Sequence, residues 1–242
     1  MPPDALPPTL ILDLDDTILD DSLASEESWV EAATLHAPEV APVSAQELHA
    51  AIQRARRWYW DDEARARAGA LDLMTARREI VTEALIHLKR RDAPALAQRV
   101  TASYAAARDA RMRPLPGALE TVAWLRERGT RLGLITNGAA EPQRRKVERF
   151  ALAPLFDVVV IEGEFGCGKP DPRVYLHALA ALHAAPDSTW MVGDSLRNDV
   201  LAPQRLGISG VWVNATGRAT PPDAPAQPDR VIRALSELPT LA

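Results

Sequence analysis

The sequence predicts an α/β fold, a doubly wound parallel sheet with an all-helical unit inserted after its first strand. Three observations lead there. Short apolar runs recur with the length of strands buried on both faces, as parallel sheets require: Thr9–Leu14, Arg131–Thr136, Asp157–Ile161, Thr189–Gly193 and the shorter Gly210–Val213. Helical-period segments separate the later runs, the alternation of βαβ units. More than a hundred residues lie between the first and second runs, far beyond an ordinary crossover.

In chain order, the start Met1-Pro2-Pro3-Asp4 lacks the basic and apolar stretches of a secretory signal, and its prolines predict a mobile end. After the first strand the helical periods run over Ser22–Leu35, Ala45–Trp60, Leu73–Arg90 and Ala93–Arg111. Ser44 with Glu47 three residues later forms a capping-box pattern at the second of these. The insert is placed at 21–112, leaving 1–20 and 113–242 as the core domain. Arg113-Pro114-Leu115-Pro116-Gly117 reads as the return linker, because two prolines stiffen it. Ala118–Arg128, Glu141–Phe150, Pro172–His183 and Arg197–Leu206 supply the helices between strands. Thr220–Asp229 carries four prolines and is expected to be a surface loop before a last helix.

Composition narrows the function classes. The 242 residues hold 28 basic and 33 acidic side chains, a net charge of −5 with the signs interspersed. Phosphate backbones and anionic membranes demand a concentrated basic face, so neither nucleic acid nor a membrane surface is expected as a partner. A small anionic substrate needs only one or two local cations. The single cysteine, Cys167, excludes an internal disulfide. No apolar run approaches the roughly 18 residues of a membrane span. A cytoplasmic protein, monomer or homodimer, is the expectation.

Ligands bind outside the carboxyl ends of strands in open parallel sheets. The first strand ends in Asp13-Leu14-Asp15-Asp16-Thr17 and the second in Thr136-Asn137-Gly138. Gly166-Cys167-Gly168-Lys169-Pro170 follows the third, and the fourth ends in Gly193-Asp194-Ser195-Leu196-Arg197-Asn198-Asp199. Asp13 and Asp15, two apart in extended chain, can point the same way. With Asp194 arriving from another strand, the carboxylates repel unless a cation joins them. A hard divalent ion with oxygen ligands, Mg²⁺, is the simplest solution, and no histidine or cysteine cluster suggests zinc. Lys169 supplies a second positive charge. Such a site suits a phosphoryl group, and carboxylates do form aspartyl-phosphates.

These residues identify a family resemblance. DxDxT at Asp13–Thr17, a strand-ending Thr136, Lys169 before proline and GDSxxND at Gly193–Asp199 stand in order. Together they resemble the four signature motifs of the haloacid dehalogenase-like (HAD) hydrolase superfamily. The resemblance covers essentially the whole core and implies a Rossmann-like sheet with a C1-type helical cap. It implies that Asp13 is the nucleophile, while Asp15 protonates the leaving alcohol and then activates water. Thr136 and Lys169 hold phosphoryl oxygens, with Asn137 as an added donor. Asp13, the main-chain carbonyl of Asp15, and Asp194 ligate Mg²⁺, and Asp199 orients that shell or reaches the metal through water. Dehalogenases of the family replace the second Asp, so Asp15 favours phosphate transfer. The implied activity is hydrolysis of a small phosphorylated metabolite. Gly210–Asn214 is similar to nucleotidase-like and acylneuraminate-phosphatase-like members, a hint toward sugar phosphates or nucleoside monophosphates. The alternatives are a phosphomutase of the β-phosphoglucomutase type, a 2-haloacid dehalogenase and a non-catalytic binding protein.

Other residues carry plainer expectations. Cys167 has no partner histidine in the sequence and reads as a spectator thiol. The five histidines show no ligand spacing. Trp58-Tyr59-Trp60 cannot all face one side of a helix, so at least one is expected outside the core. The arginines between Arg54 and Arg78 alternate with acids, the pattern of a solvated, ion-paired face.

Overall fold

The computed structural model describes residues 6–217, 219 and 227–241. The proline-rich start and most of the Thr220–Asp229 stretch lie outside the described residues. The chain divides into two compact units, Met1–Asp20 with Arg113–Ala242, and Asp21–Met112.

The first unit is built on a wholly parallel sheet of β1 (Thr9–Leu12), β2 (Arg131–Thr136), β3 (Val158–Ile161), β4 (Thr189–Gly193), β5 (Ser209–Val213) and β6 (Arg230–Ile232). The strand order is β3-β2-β1-β4-β5-β6. Leu12 pairs with Leu134 on one side and Val192 on the other. Every residue of β1 is buried, which is why its sequence is apolar without alternation. Ile11, Ile135, Val160 and Met191 pack with Val174, Tyr175, Ala178 and Leu179 of the helix Pro172–Ala181. The order reverses between β1 and β4, and a crevice opens at such a point outside the carboxyl ends.

Three sequence expectations need correction here. The first strand stops at Leu12 rather than Leu14, because Leu14 O turns back to accept from Ile18 N and Leu19 N. Leu14 is fully buried, so its apolar character reflects a packed turn. The helix expected over Arg197–Leu206 is a π-helical stretch, Leu196–Leu201, running into a short α-turn at Ala202–Gln204. The last helix is instead β6 followed by a 3₁₀ segment, Leu235–Leu241. Arg230 pairs with Val211, and Pro239 forbids a continuous α-helix.

The second unit is helical: α1 (Ser22–His36), α2 (Ala45–Trp60), α3 (Glu63–Leu71), α4 (Leu73–His87) and α5 (Ala93–Arg111). Trp29, Leu48, Ile52, Ile80, Leu85, Leu96, Val100 and Tyr104 belong to one apolar cluster, where Trp29 stacks on Tyr104 at 3.7 Å between ring centroids. The Ser44–Glu47 capping box closes both ways, each partner bonding the other's main chain. Such a cap contributes about 1 kcal/mol. The helix α3 is additional to the sequence reading. Asp62 caps it through Arg65 N, but its Ala-Arg alternation shows no apolar stripe. Tyr59 is buried, while Trp58 and Trp60 are exposed. No helix among the described residues is long and apolar enough to cross a membrane.

The sheet unit also contains α6 (Ala118–Glu127), α7 (Ala140–Arg149), α8 (Glu162–Phe165) and α9 (Pro172–Ala181). Its two halves meet where the insert departs and returns. Asp20 N donates to Arg113 O at 3.0 Å, and the Arg113 guanidinium pairs with Asp20 at 3.0 Å.

Candidate active site

Asp13 is the first residue beyond β1, still tied to β4 by its N–H to Val192 O at 2.9 Å. Its Oδ1 accepts from Lys169 Nζ at 2.7 Å, and the same ammonium donates to Asp199 Oδ1 at 2.7 Å. All three side chains are buried. Asp199 comes from the π-helical turn, and its Oδ2 accepts from Ser195 N at 3.0 Å. That turn lies hard against β4. A Cβ on Gly193 would fall 2.4 Å from Asp199 Cγ, so only glycine lets the carboxylate sit there.

Asp194 follows β4 at the exposed rim. Asp13, Asp194 and Asp199 each offer a carboxylate oxygen, and these lie within 4.8 Å of one another. Two of these carboxylates, Asp13 and Asp199, share one buried ammonium, and Asp194 adds a third negative charge beside them. That donor set, all hard oxygen, fits a divalent cation such as Mg²⁺ and leaves a charge deficit for it to fill.

The deficit is visible in the proton affinities. Burial raises the Asp13 carboxyl above its ordinary range; Lys169 opposes this and Asp199 adds to it. Burial also works against the Lys169 charge, but Asp13 and Asp199 outweigh it and hold the ammonium above the usual lysine range. The lysine therefore keeps its proton, and the surplus carboxylate charge is what the pocket resists. Partial burial, then Asp199 and Asp16, raises Asp194 to about 7, with water at the exposed rim offsetting part of the effect.

A second group forms along the carboxyl end of β2. Asp15 Oδ1 accepts from Lys146 Nζ at 2.6 Å, and Oδ2 accepts from Gln143 Nε2 at 3.0 Å. Gln143 Nε2 also donates to Thr136 Oγ1 at 2.5 Å. Asn137 brackets the main chain of Lys169. Its Nδ2 donates to Lys169 O at 2.7 Å, and its Oδ1 accepts from Lys169 N at 2.8 Å. The clamp fixes the stem of the lysine that joins Asp13 to Asp199. Cys167 is a partly exposed free thiol.

Gln143 and Lys146 were missed by sequence reasoning. They lie in Arg-, Lys- and Glu-rich α7, which reads as a solvated face, yet both are buried. The signal was positional, since α7 starts four residues after β2 and its first turns must lie at the carboxyl rim.

Comparison with known proteins follows the same lines. The family model described as "Hydrolase: haloacid dehalogenase-like hydrolase" matches residues 7–207. Phosphoserine phosphatase of Thermus thermophilus is 42% identical over 132 residues, 54% of this chain and 52% of that protein. Glyceraldehyde 3-phosphate phosphatase of Methanopyrus kandleri is 29% identical over 206 residues, 84% of this chain and 82% of that one. The match thus spans about half the length of the Thermus protein and most of the Methanopyrus one. Among solved structures, 2-haloacid dehalogenase from Pseudomonas syringae aligns with a TM-score of 0.61 at 27% identity, covering 98% of both chains. The magnesium-bound HAD-hydrolase YfnB from Bacillus subtilis aligns with a TM-score of 0.73 at 21% identity, covering 98% of this chain and 99% of that one. The latter likeness is one of fold.

Proposed function

The chain belongs to the haloacid dehalogenase-like hydrolase family, and from that premise we propose that it is a Mg²⁺-dependent phosphatase of small phosphomonoesters, with Asp13 as nucleophile. The observation that carries the reading is the buried Asp13–Lys169–Asp199 group with Asp15 retained two residues on. The phosphatase names of the Thermus and Methanopyrus relatives support it. Likeness to a 2-haloacid dehalogenase raises the rival reaction. A halide leaves without a proton, so that reaction has no use for Asp15 held between Lys146 and Gln143.

In the proposed reaction an Asp13 carboxylate oxygen attacks phosphorus. The bond to the ester oxygen breaks, and Asp15 gives that oxygen its proton. Asp15 then takes a proton from the water that attacks the aspartyl-phosphate, releasing phosphate and restoring Asp13. Lys169 and the Thr136 hydroxyl hold the phosphoryl oxygens and stabilise charge spread over them. Asp13, the main-chain carbonyl of Asp15, and Asp194 would hold Mg²⁺, with Asp199 supporting the set. When bound, the ion neutralises the crowded carboxylates and draws charge from the phosphoryl group. Asn137 acts by fixing Lys169. The substrate class is a small phosphorylated metabolite, a sugar phosphate or nucleoside monophosphate.

The test is phosphate release from p-nitrophenyl phosphate. Purified protein is expected to lose activity about 100-fold or more under chelator and to recover it with Mg²⁺. A rate indifferent to chelator would sink the metal-dependent reading.

Stability gives a second check, of the charge deficit itself. Asp13 and Asp194 have raised proton affinities in the metal-free fold. Their contribution is present below the ordinary carboxylate pKa of about 4 and is lost as pH rises through the raised values, about 7 for Asp194. The Tm of the metal-free protein is therefore expected to fall between about pH 5 and about pH 8. Mg²⁺ should raise Tm more at the higher pH, where the carboxylates are ionised. An equal Mg²⁺ shift at both pH values would contradict the deficit.

A further inference from the structure

We infer that Gln143 and Lys146, three residues apart on α7, are positioning residues that aim Asp15 and Thr136 at the reacting phosphoryl group. The inference rests on the phosphatase reading and extends it to side chains outside the four motifs. Residues three apart share a helix face, and both lie under the rim at the end of β2.

The geometry is that of a holder. Each Asp15 carboxylate oxygen has its own donor, Lys146 Nζ at 2.6 Å and Gln143 Nε2 at 3.0 Å. Gripped at both oxygens, the Asp15 carboxyl cannot swing away from the ester oxygen that it protonates when it enters the step as the carboxylic acid. The Gln143 amide has two N–H groups. One serves Asp15 and the other serves Thr136 Oγ1 at 2.5 Å. Because the Thr136 oxygen accepts, its own hydrogen is available to a phosphoryl oxygen, with a long 3.5 Å contact to Asn137 O as the one competitor among the described residues. Gln143 thus sets the proton donor and the phosphoryl-binding hydroxyl in one frame.

Burial argues the same way. Lys146 is 9% exposed and Gln143 4%. A lysine and a glutamine are seldom sunk this deep unless their partners require it. Gly138, at φ +122°, keeps the approach clear, since a Cβ there would come within 3.3 Å of Gln143 Cγ.

A packing role and a positioning role differ in their leaving-group dependence. Phenyl phosphate and p-nitrophenyl phosphate have nearly the same shape, but the phenolate leaves poorly without a proton and the nitrophenolate leaves well. Lys146→Met and Gln143→Leu are expected to lower kcat/KM about 100-fold on phenyl phosphate and about tenfold or less on p-nitrophenyl phosphate. Lys146→Arg, which keeps the charge, should recover most of the loss. Far-UV circular dichroism confirms that each variant is folded. An equal loss on both esters, with Lys146→Arg no better than Lys146→Met, overturns the inference, as do unchanged rates in folded variants. Either result leaves the phosphatase reading standing. Wild-type protein inactive on both esters, or activity surviving in Asp13→Asn, overturns that reading and this inference with it.

Discussion

Asp13→Asn is expected to reduce phosphate release by about 10⁵-fold, the scale on which losing a nucleophile is felt. The amide keeps the shape of the carboxylate, and its oxygen can still accept from Lys169, so the pocket should stay assembled. What it loses is the charge that, in the proposed reaction, attacks phosphorus. The same substitution is expected to leave the metal-free protein at neutral pH as stable as the wild type or more so. Burial and the Asp199 charge oppose ionised Asp13, and a neutral side chain removes that strain. Activity lost while stability holds or rises marks a residue kept for chemistry at a cost to the fold. The checks are a p-nitrophenyl phosphate assay and a urea melt on the same preparation. Substantial residual turnover would refute Asp13 as nucleophile, and a large loss of stability would mean that the carboxylate charge holds the pocket together.

Lys169→Met should damage both properties. The ammonium is buried between Asp13 and Asp199, 2.7 Å from each. Deleting one partner of a buried ion pair typically costs about 3–5 kcal/mol, because the other charge is stranded. Here two carboxylates are stranded, and Asp199 is fully buried. Loss of a fixed positive group at the phosphoryl oxygens should lower kcat by about 10³-fold. Mg²⁺ is expected to recover part of the stability, since it neutralises the same carboxylates, but not the rate. Denaturant unfolding with and without Mg²⁺ separates the two effects. Full stability in the metal-free variant would show that Asp13 and Asp199 do not depend on the lysine for neutrality.

These side chains differ in how far the sequence announces them. Asp13, Lys169, Asp194 and Asp199 follow strand ends, and the strands were readable because burial on both faces writes them as unbroken apolar runs. Lys146 and Gln143 were not readable by type, since a charged helix looks solvated until a strand end is set beside it. Asn137 was legible in place, but its grip on the Lys169 main chain was not, because the sequence does not say which way an amide turns. The fold shows the same division. β6 is only three residues, with Val231 exposed, and it lacks the signature of a covered strand. The helix α3 has a cap but no apolar face, and helical periodicity therefore passes over it. The π-helical turn that carries Asp199 lies in a segment of helical period, and that period does not distinguish a π-turn from an α-helix. It is bound to Gly193 through a close approach that only the packed structure reveals.

The way the helical insert is tied off bears on the order in which the polypeptide finds its shape. Asp20 and Arg113 are joined through both main chain and side chain, and within the insert Arg108 of α5 pairs with Asp21. The insert therefore begins and ends at nearly one place. The insert packs within itself, its first helix α1 against its last, α5, and can condense apart from the sheet, whereas β1 must find β2 across the whole intervening chain. Once the insert has condensed, that span is short-circuited. Roughly quartering an effective loop lowers its closure cost by about 1 kcal/mol. The excursion that interrupts the sheet in sequence thus becomes the shortcut by which its central pair meets.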